Sequence, residues 1–147
     1  MKKLFTACFL VLTILGCKNN SGSEEKTKEI SRQEFTPEVK ESISRGAEVY
    51  NNFCASCHLS KGEGIKGVFP PLQNSDWINE KRQESIHAVK FGLSGPIQVN
   101  GVEYDNLMPD PGLTDREIAD VMNYIYSSWG NTMKEPVTEE EVASIEK

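Results

Sequence analysis

The sequence predicts an all-α domain carrying one small β-hairpin, and three observations support that prediction. Apolar residues recur at three- and four-residue intervals over 37–53 and again over 114–129, the spacing of one buried helical face. The stretch Ile97 to Tyr104 alternates apolar and polar residues around Asn100-Gly101, a dipeptide that tolerates positive φ and suits a two-residue hairpin turn. With four cysteines in 147 residues, two of them in the first 17, a disulfide framework is excluded beyond one local bridge, so core burial must hold the domain.

The first segment stands apart. Lys2 and Lys3 precede an apolar run from Leu4 to Gly16, interrupted only by Thr6, Cys8 and Thr13. That is an export signal, too short for a membrane-spanning helix of about 20 apolar residues. Its end, Ile14-Leu15-Gly16-Cys17, followed at once by Lys18-Asn19-Asn20-Ser21, resembles a bacterial lipobox. The resemblance implies a lipoprotein signal peptide over 1–16 and acylation of Cys17 as the mature N-terminus. A bare thiol at that position, the alternative, would be open to oxidation. Residues 17–36 are rich in Ser, Asn, Lys and Glu and poor in apolar side chains, so they read as a lipidated flexible tether whose use is reach.

Charge narrows the partners. Without residues 1–16 the chain has 14 basic and 22 acidic residues, a formal charge of −8, which makes nucleic acid an unsuitable partner. Much of the excess lies in the folded part and in Glu139-Glu140-Glu141, where it serves solubility or docking on a basic partner.

The domain is expected over 37–131. Thr36 is a good N-cap, Pro37 suits the first helical position, and Glu38 and Glu41 complement the helix dipole. Val39, Ile43, Gly46, Ala47, Tyr50 and Phe53 then form one stripe that ends at Cys54. From Leu59 to Leu72, Gly62, Gly64, Gly67, Pro70 and Pro71 argue for an irregular loop wrapped around something. Short helices are expected near Asp76–Asn79 and from Glu80 to Phe91, the latter stopped by Gly92. The last helix opens with a capping box, Thr114 to Glu117, and places Ile118, Val121, Met122, Ile125, Tyr126 and Trp129 on one face before Gly130. Residues 132–147 read as an acidic tail, and no internal repeat is visible.

The chemistry is concentrated in Cys54-Ala55-Ser56-Cys57-His58. Two thiols three positions apart can add to the two vinyl groups of one haem while the next residue reaches its iron, the signature of c-type attachment. A zinc site would need four Cys or His ligands in paired spacing, and beyond this motif only His87 remains. A thioredoxin-like dithiol would follow a strand, whereas this motif follows an amphipathic helix. A stable carrier also needs the sixth iron position filled. Met108, in the Pro-flanked Asn106-Leu107-Met108-Pro109, is the best candidate, since soft sulfur stabilises ferrous iron. Met122 fits core packing and Met133 a peripheral position past the last helix, while His87 sits in a short polar helix that suits a surface or rim role better than ligation.

Residues 37–130 resemble class I cytochromes c. Gly46 and Tyr50 stand eight and four residues before Cys54, at the family's first-helix glycine and aromatic positions, where the C-terminal helix crosses closely with Tyr124 or Ile125 against the glycine. The implied fold has N- and C-terminal helices crossing around a covalently bound haem, with short intermediate helices. Pro70, twelve residues after His58, matches the proline whose carbonyl accepts a hydrogen bond from the ligand histidine, a bond that orients the imidazole. Pro70-Pro71-Leu72, Ser75-Asp76-Trp77, Gly92–Ile97 and Ser127–Asn131 resemble a bacterial subgroup found alone or fused to respiratory oxidases, nitrite reductases and dehydrogenases. Trp77 and Tyr104 are candidates to donate hydrogen bonds to haem propionates, against plain core packing.

The sequence therefore reads as a non-enzymatic, monomeric one-electron carrier with a single haem c, held by Cys54, Cys57 and His58 with Met108 as second axial ligand. It would work on the periplasmic side of a bacterial membrane with an oxidase, reductase or dehydrogenase. Two rivals stand beside it: a haem sensor or small peroxidase with a labile sixth ligand, and a permanent electron-transfer subunit of a dehydrogenase.

Overall fold

The first helix begins where the sequence places its cap. In a computed structural model that describes residues 35–147, Thr36 is extended, its hydroxyl accepts from the Val39 amide at 3.4 Å, and Pro37 opens α1 (Pro37–Val49). The export signal, Cys17 and nearly all of the tether lie outside the described residues.

After Val49 the helix widens into a single π-helical turn, Tyr50–Cys54, in which the Ala55 amide bonds the Tyr50 carbonyl. The wider turn shifts the inward face by one residue. Phe53, expected on the buried stripe, is 50% exposed, while Cys54 and Ala55 pack against the core instead. Helix α2 (Ala55–His58) continues for one turn and stops at Leu59, whose φ of +64° turns the chain away.

Helix α3 (Asp76–Glu80) is capped by the Ser75 hydroxyl, which accepts from the Ile78 amide at 3.3 Å. Helix α4 (Arg82–Phe91) starts two residues later than expected, because non-helical Lys81 separates it from α3, and ends at Gly92 with φ +79°. Strands β1 (Ile97–Val99) and β2 (Val102–Tyr104) pair antiparallel with Ile97 opposite Tyr104, joined by Asn100 and Gly101, both at positive φ as a tight hairpin turn requires. Helix α5 (Asp115–Tyr126) has the full capping box: the Thr114 hydroxyl accepts from the Glu117 amide at 3.3 Å, and the Glu117 carboxylate accepts from the Thr114 amide at 2.9 Å. It ends at Tyr126, four residues before Gly130. Trp129, at φ +52°, therefore belongs to a turn and not to the helical face.

Helices α1 and α5 make the most extensive interface in the fold. They touch at Gly46, where a Cβ would overlap the Asp120 carbonyl and come within 2.9 Å of the Tyr124 Cβ, so Tyr124 rather than Ile125 lies against the glycine. Beside the crossing, buried Asp120 accepts from Arg45 Nε at 2.6 Å and Nη2 at 2.8 Å, and from the Ser42 hydroxyl at 2.6 Å. Tyr50, Tyr124 and Trp129 form an aromatic triad with centroids 4.9–5.5 Å apart. Met122 is fully buried, as its spacing predicts.

The residues expected as an acidic tail fold onto the domain. Helix α6 (Glu139–Ser144) packs against α5, and Met133, expected at the periphery, is 2% exposed beside buried Val137 and Val142. Acidic residues dominated the sequence signal here and masked three apolar anchors at positions 133, 137 and 142.

Two substitutions test this packing. Gly46→Ala should destabilise the protein in chemical denaturation by about 1–3 kcal/mol of overpacking strain, reversing the gain of about 1 kcal/mol that helix propensity alone gives this exchange. Met133→Ala should cost about 2–5 kcal/mol. A loss within about 0.5 kcal/mol, normal for an exposed side chain, would mean that residues 132–147 do not pack in solution.

Candidate cofactor site

Helix α2 brings its last residue, His58, to 8% exposure at the floor of an apolar cleft. The chain then loops back over it. The Gly64 amide bonds the His58 carbonyl at 3.0 Å, and the Leu72 and Gln73 amides bond the Gly62 carbonyl at 2.8 and 3.0 Å. Gly64 has φ +63°, and any Cβ there would run into the Phe69 carbonyl and Pro70. That close approach lets the Pro70 carbonyl face His58 Nδ1 at 2.9 Å. A carbonyl can only accept, so Nδ1 carries the proton and Nε2 keeps the lone pair. Burial lowers the His58 pKa and the Pro70 bond raises it less, so the ring is held neutral, the form that ligates metal.

The opposite wall comes from far along the chain. Leu93 and Met108 pair as an isolated antiparallel bridge, each amide bonding the other's carbonyl at 2.9 Å. Gly92 permits it, because a Cβ there would come within 2.7 Å of the Met108 carbonyl. The Asn106 side-chain amide donates to the Val68 carbonyl at 2.9 Å and ties this loop to the His58 loop.

Cys57, His58, Pro70, Tyr104 and Met108 all line this cleft, with Val68, Phe69, Leu93, Ile97, Leu107 and Pro109 supplying its apolar surface. Cys54 does not line the cleft itself; it sits half-buried one helical turn before Cys57 and packs on the core. Burial, then the neighbouring Cys57, pushes the Cys54 thiol up to about 11. A reactive thiol needs a depressed value, so Cys54 is unsuited to act as a nucleophile in thiol–disulfide exchange. Trp77 is not at the cleft: it is half-buried beside α4, with the Lys81 ammonium 4.2 Å from its ring centroid. His87 borders a separate groove and meets Phe91 edge-on at 5.0 Å, so His58 is the histidine the fold brings to the cleft.

Sequence reasoning missed the supports. Asn131 holds the loop over the cleft to the end of α5: its side-chain amide donates to the Leu72 and Ile125 carbonyls at 2.7 and 2.9 Å, and its oxygen accepts from the Ser75 amide at 3.2 Å. Gly92 was legible as a helix stop but not as the contact that admits Met108. Asn106 gave no signal, because a surface-loop asparagine next to an apolar residue has no pattern of its own.

The donor set fits haem c. Two unpaired thiols three residues apart, a neutral imidazole with a free lone pair and a thioether converge on or beside one apolar cleft. The family model for cytochrome c matches residues 43–129. Cytochrome c-552 of Thermus thermophilus is 38% identical over 109 residues, covering 68% of this chain and 82% of that protein. The gluconate 2-dehydrogenase cytochrome c subunit of Pantoea cypripedii is 38% identical over 106 residues, covering 69% of this chain and 24% of that subunit. The cytochrome c subunit of the quinone alcohol dehydrogenase of Gluconobacter oxydans is 34% identical over 103 residues, 68% of this chain and 21% of that subunit. Fold, attachment motif and relatives agree: the chain belongs to the cytochrome c family and is an electron carrier with one haem c bound covalently through Cys54 and Cys57.

Proposed function

We propose that His58 and Met108 are the two axial ligands of the haem iron, and that the domain passes single electrons between redox proteins on the outer side of a membrane to which Cys17 is lipid-anchored. The observation that carries this reading is the pairing of a tautomer-locked histidine with a backbone-pinned methionine in one cleft. When bound, haem c supplies reversible one-electron Fe(III)/Fe(II) chemistry. The Pro70 carbonyl holds His58 Nδ1–H, so that Nε2 stays available as a donor. The two backbone hydrogen bonds to Leu93 would hold the Met108 main chain in the same place in either oxidation state. The apolar walls keep water from competing for the same position. Tyr104, buried at the end of β2, borders the cleft and can donate from its hydroxyl to a propionate; Trp77 is better placed for packing under Lys81.

A sensor or peroxidase needs a sixth ligand that leaves readily, and the two-bond clamp on Met108 works against that. A permanent dehydrogenase subunit keeps specific support, since several relatives carry that description. This chain spans about a quarter or less of those proteins, and stable co-purification with a dehydrogenase would favour that role over a shuttle.

Ferric holoprotein should show the weak band at the near-infrared edge that marks methionine sulfur on haem iron. Met108→Ala should abolish the band and open the ferrous protein to carbon monoxide. A parent without the band that binds carbon monoxide freely would support the sensor or peroxidase reading. Cys17→Ser should release the protein from membranes with its haem spectrum unchanged, and continued retention would refute the lipid anchor.

A further inference from the structure

Helix α4 lies between two things that its sequence position does not connect: the C-terminal segment and the Met108 loop. On one side Arg82 grips residues 135–141. Its Nε and Nη2 donate to the two Glu141 carboxylate oxygens at 2.7 and 2.8 Å, and its guanidinium also donates to the Glu135 and Pro136 carbonyls at 3.1 and 3.2 Å. At the other end of α4, Lys90 donates to the Val142 carbonyl at 2.7 Å and pairs with Asp115 at 3.2 Å. The segment is fastened to α5 as well, because the Asn123 side chain bonds both the amide and the carbonyl of Val137, at 2.7 and 2.9 Å, and the Val142 side chain is fully buried.

Three residues after Lys90, Leu93 makes the two backbone bonds to Met108. Leu93 also forms a wall common to the cofactor cleft and to a second groove, whose other side is the end of the chain at Ser144, Ile145 and Glu146. A ten-residue helix is marginal by itself, so what packs on α4 decides how firmly it, and Leu93 just beyond its Gly92 stop, are held in place.

We propose that residues 132–147 act as a strap that, through Arg82 and Lys90 on α4, holds Leu93 in register with Met108 and so sets how tightly the methionine stays on the iron. The inference rests on the ligation reading above. Arg82 and Lys90 are positioning residues: neither lines the cleft, and each acts by resisting the movement of α4 that would accompany release of Met108. An arginine–carboxylate fork is directional as well as strong, which suits it to fixing a helix position.

The test uses full-length, haem-loaded protein. Imidazole is titrated into the ferric parent, Arg82→Gln, Lys90→Gln, Arg82→Lys and Met108→Ala, following loss of the methionine–iron band or, for Met108→Ala, the Soret shift. Urea unfolding is followed in parallel by far-ultraviolet circular dichroism. Under conditions where every variant is fully folded, Arg82→Gln and Lys90→Gln should bind imidazole roughly tenfold more tightly than the parent. Arg82→Lys, which keeps the charge and loses the fork, should fall between. If both Gln variants stay within about twofold of the parent while their urea midpoints fall, the segment only stabilises the fold and the strap is overturned. If Met108→Ala binds imidazole no more tightly than the parent, the ligation reading fails and takes the strap with it. Two point variants on separate anchors keep the test decisive if one of them folds poorly.

Discussion

The closeness of α1 and α5 at Gly46 is the constraint from which the site geometry descends. With no side chain between them, the α1 backbone lies against the Asp120 carbonyl and the Tyr124 Cβ. That proximity brings Tyr50 into the Tyr124–Trp129 pair, and the Tyr50 hydroxyl in turn donates at 2.6 Å to the carbonyl of Leu59, the residue directly after His58. Trp129 rests over Gly62, where a Cβ would come within 2.8 Å of its ring. The start of the histidine loop is thus positioned by one helix crossing, and a methyl group at position 46 would displace the contacts that follow from it.

The segment between His58 and Ser75 contains no helix and only one isolated bridge, yet its polar backbone groups must still find partners. Side-chain amides supply many of them. Asn131 bonds the loop to the end of α5, while Asn100, at the hairpin turn, accepts from the Asp76 amide at 3.0 Å and donates to the Asn74 carbonyl at 3.2 Å. Asparagine suits this work because one short side chain both donates and accepts. Loops anchored this way hold a fixed shape without regular structure, which frees their apolar side chains to face the cleft.

Local chemistry was legible in the residues themselves, and long-range contact only where the family resemblance implied it, as for Gly46 against α5 and Pro70 against His58. The caps at Thr36 and Thr114, the stop at Gly92 and the Asn100-Gly101 turn were all readable, because each depends on a few neighbouring residues and on backbone preference alone. The cysteine motif was readable because attachment imposes a fixed spacing. Phe53 was misplaced because helical periodicity assumes 3.6 residues per turn, and one π-turn breaks that count just before the motif. Residues 132–147 were misread because their charge outweighs three apolar residues whose burial depends on α4 and α5. Trp77 was assigned by residue type, which sets what a side chain can do but not where the fold puts it.

The partners of the two proposed ligands also bear on which haem chemistry the site suits. His58 donates to a peptide carbonyl, and Met108 is held through main-chain bonds to Leu93; neither partner ionises. A carboxylate beside the imidazole would draw its proton away and make it a stronger donor, favouring ferric iron and oxygen-bond cleavage. A neutral carbonyl accepts more weakly, so the imidazole keeps its neutral character and the ferrous state stays accessible. The carboxylates lie elsewhere, on the surface and at the α1–α5 crossing, and the cleft wall carries none. Because neither partner ionises, the bonds that orient His58 and pin the Met108 main chain do not themselves change with the pH of the surroundings, which matters for a protein whose task is to gain and lose an electron with little else changing.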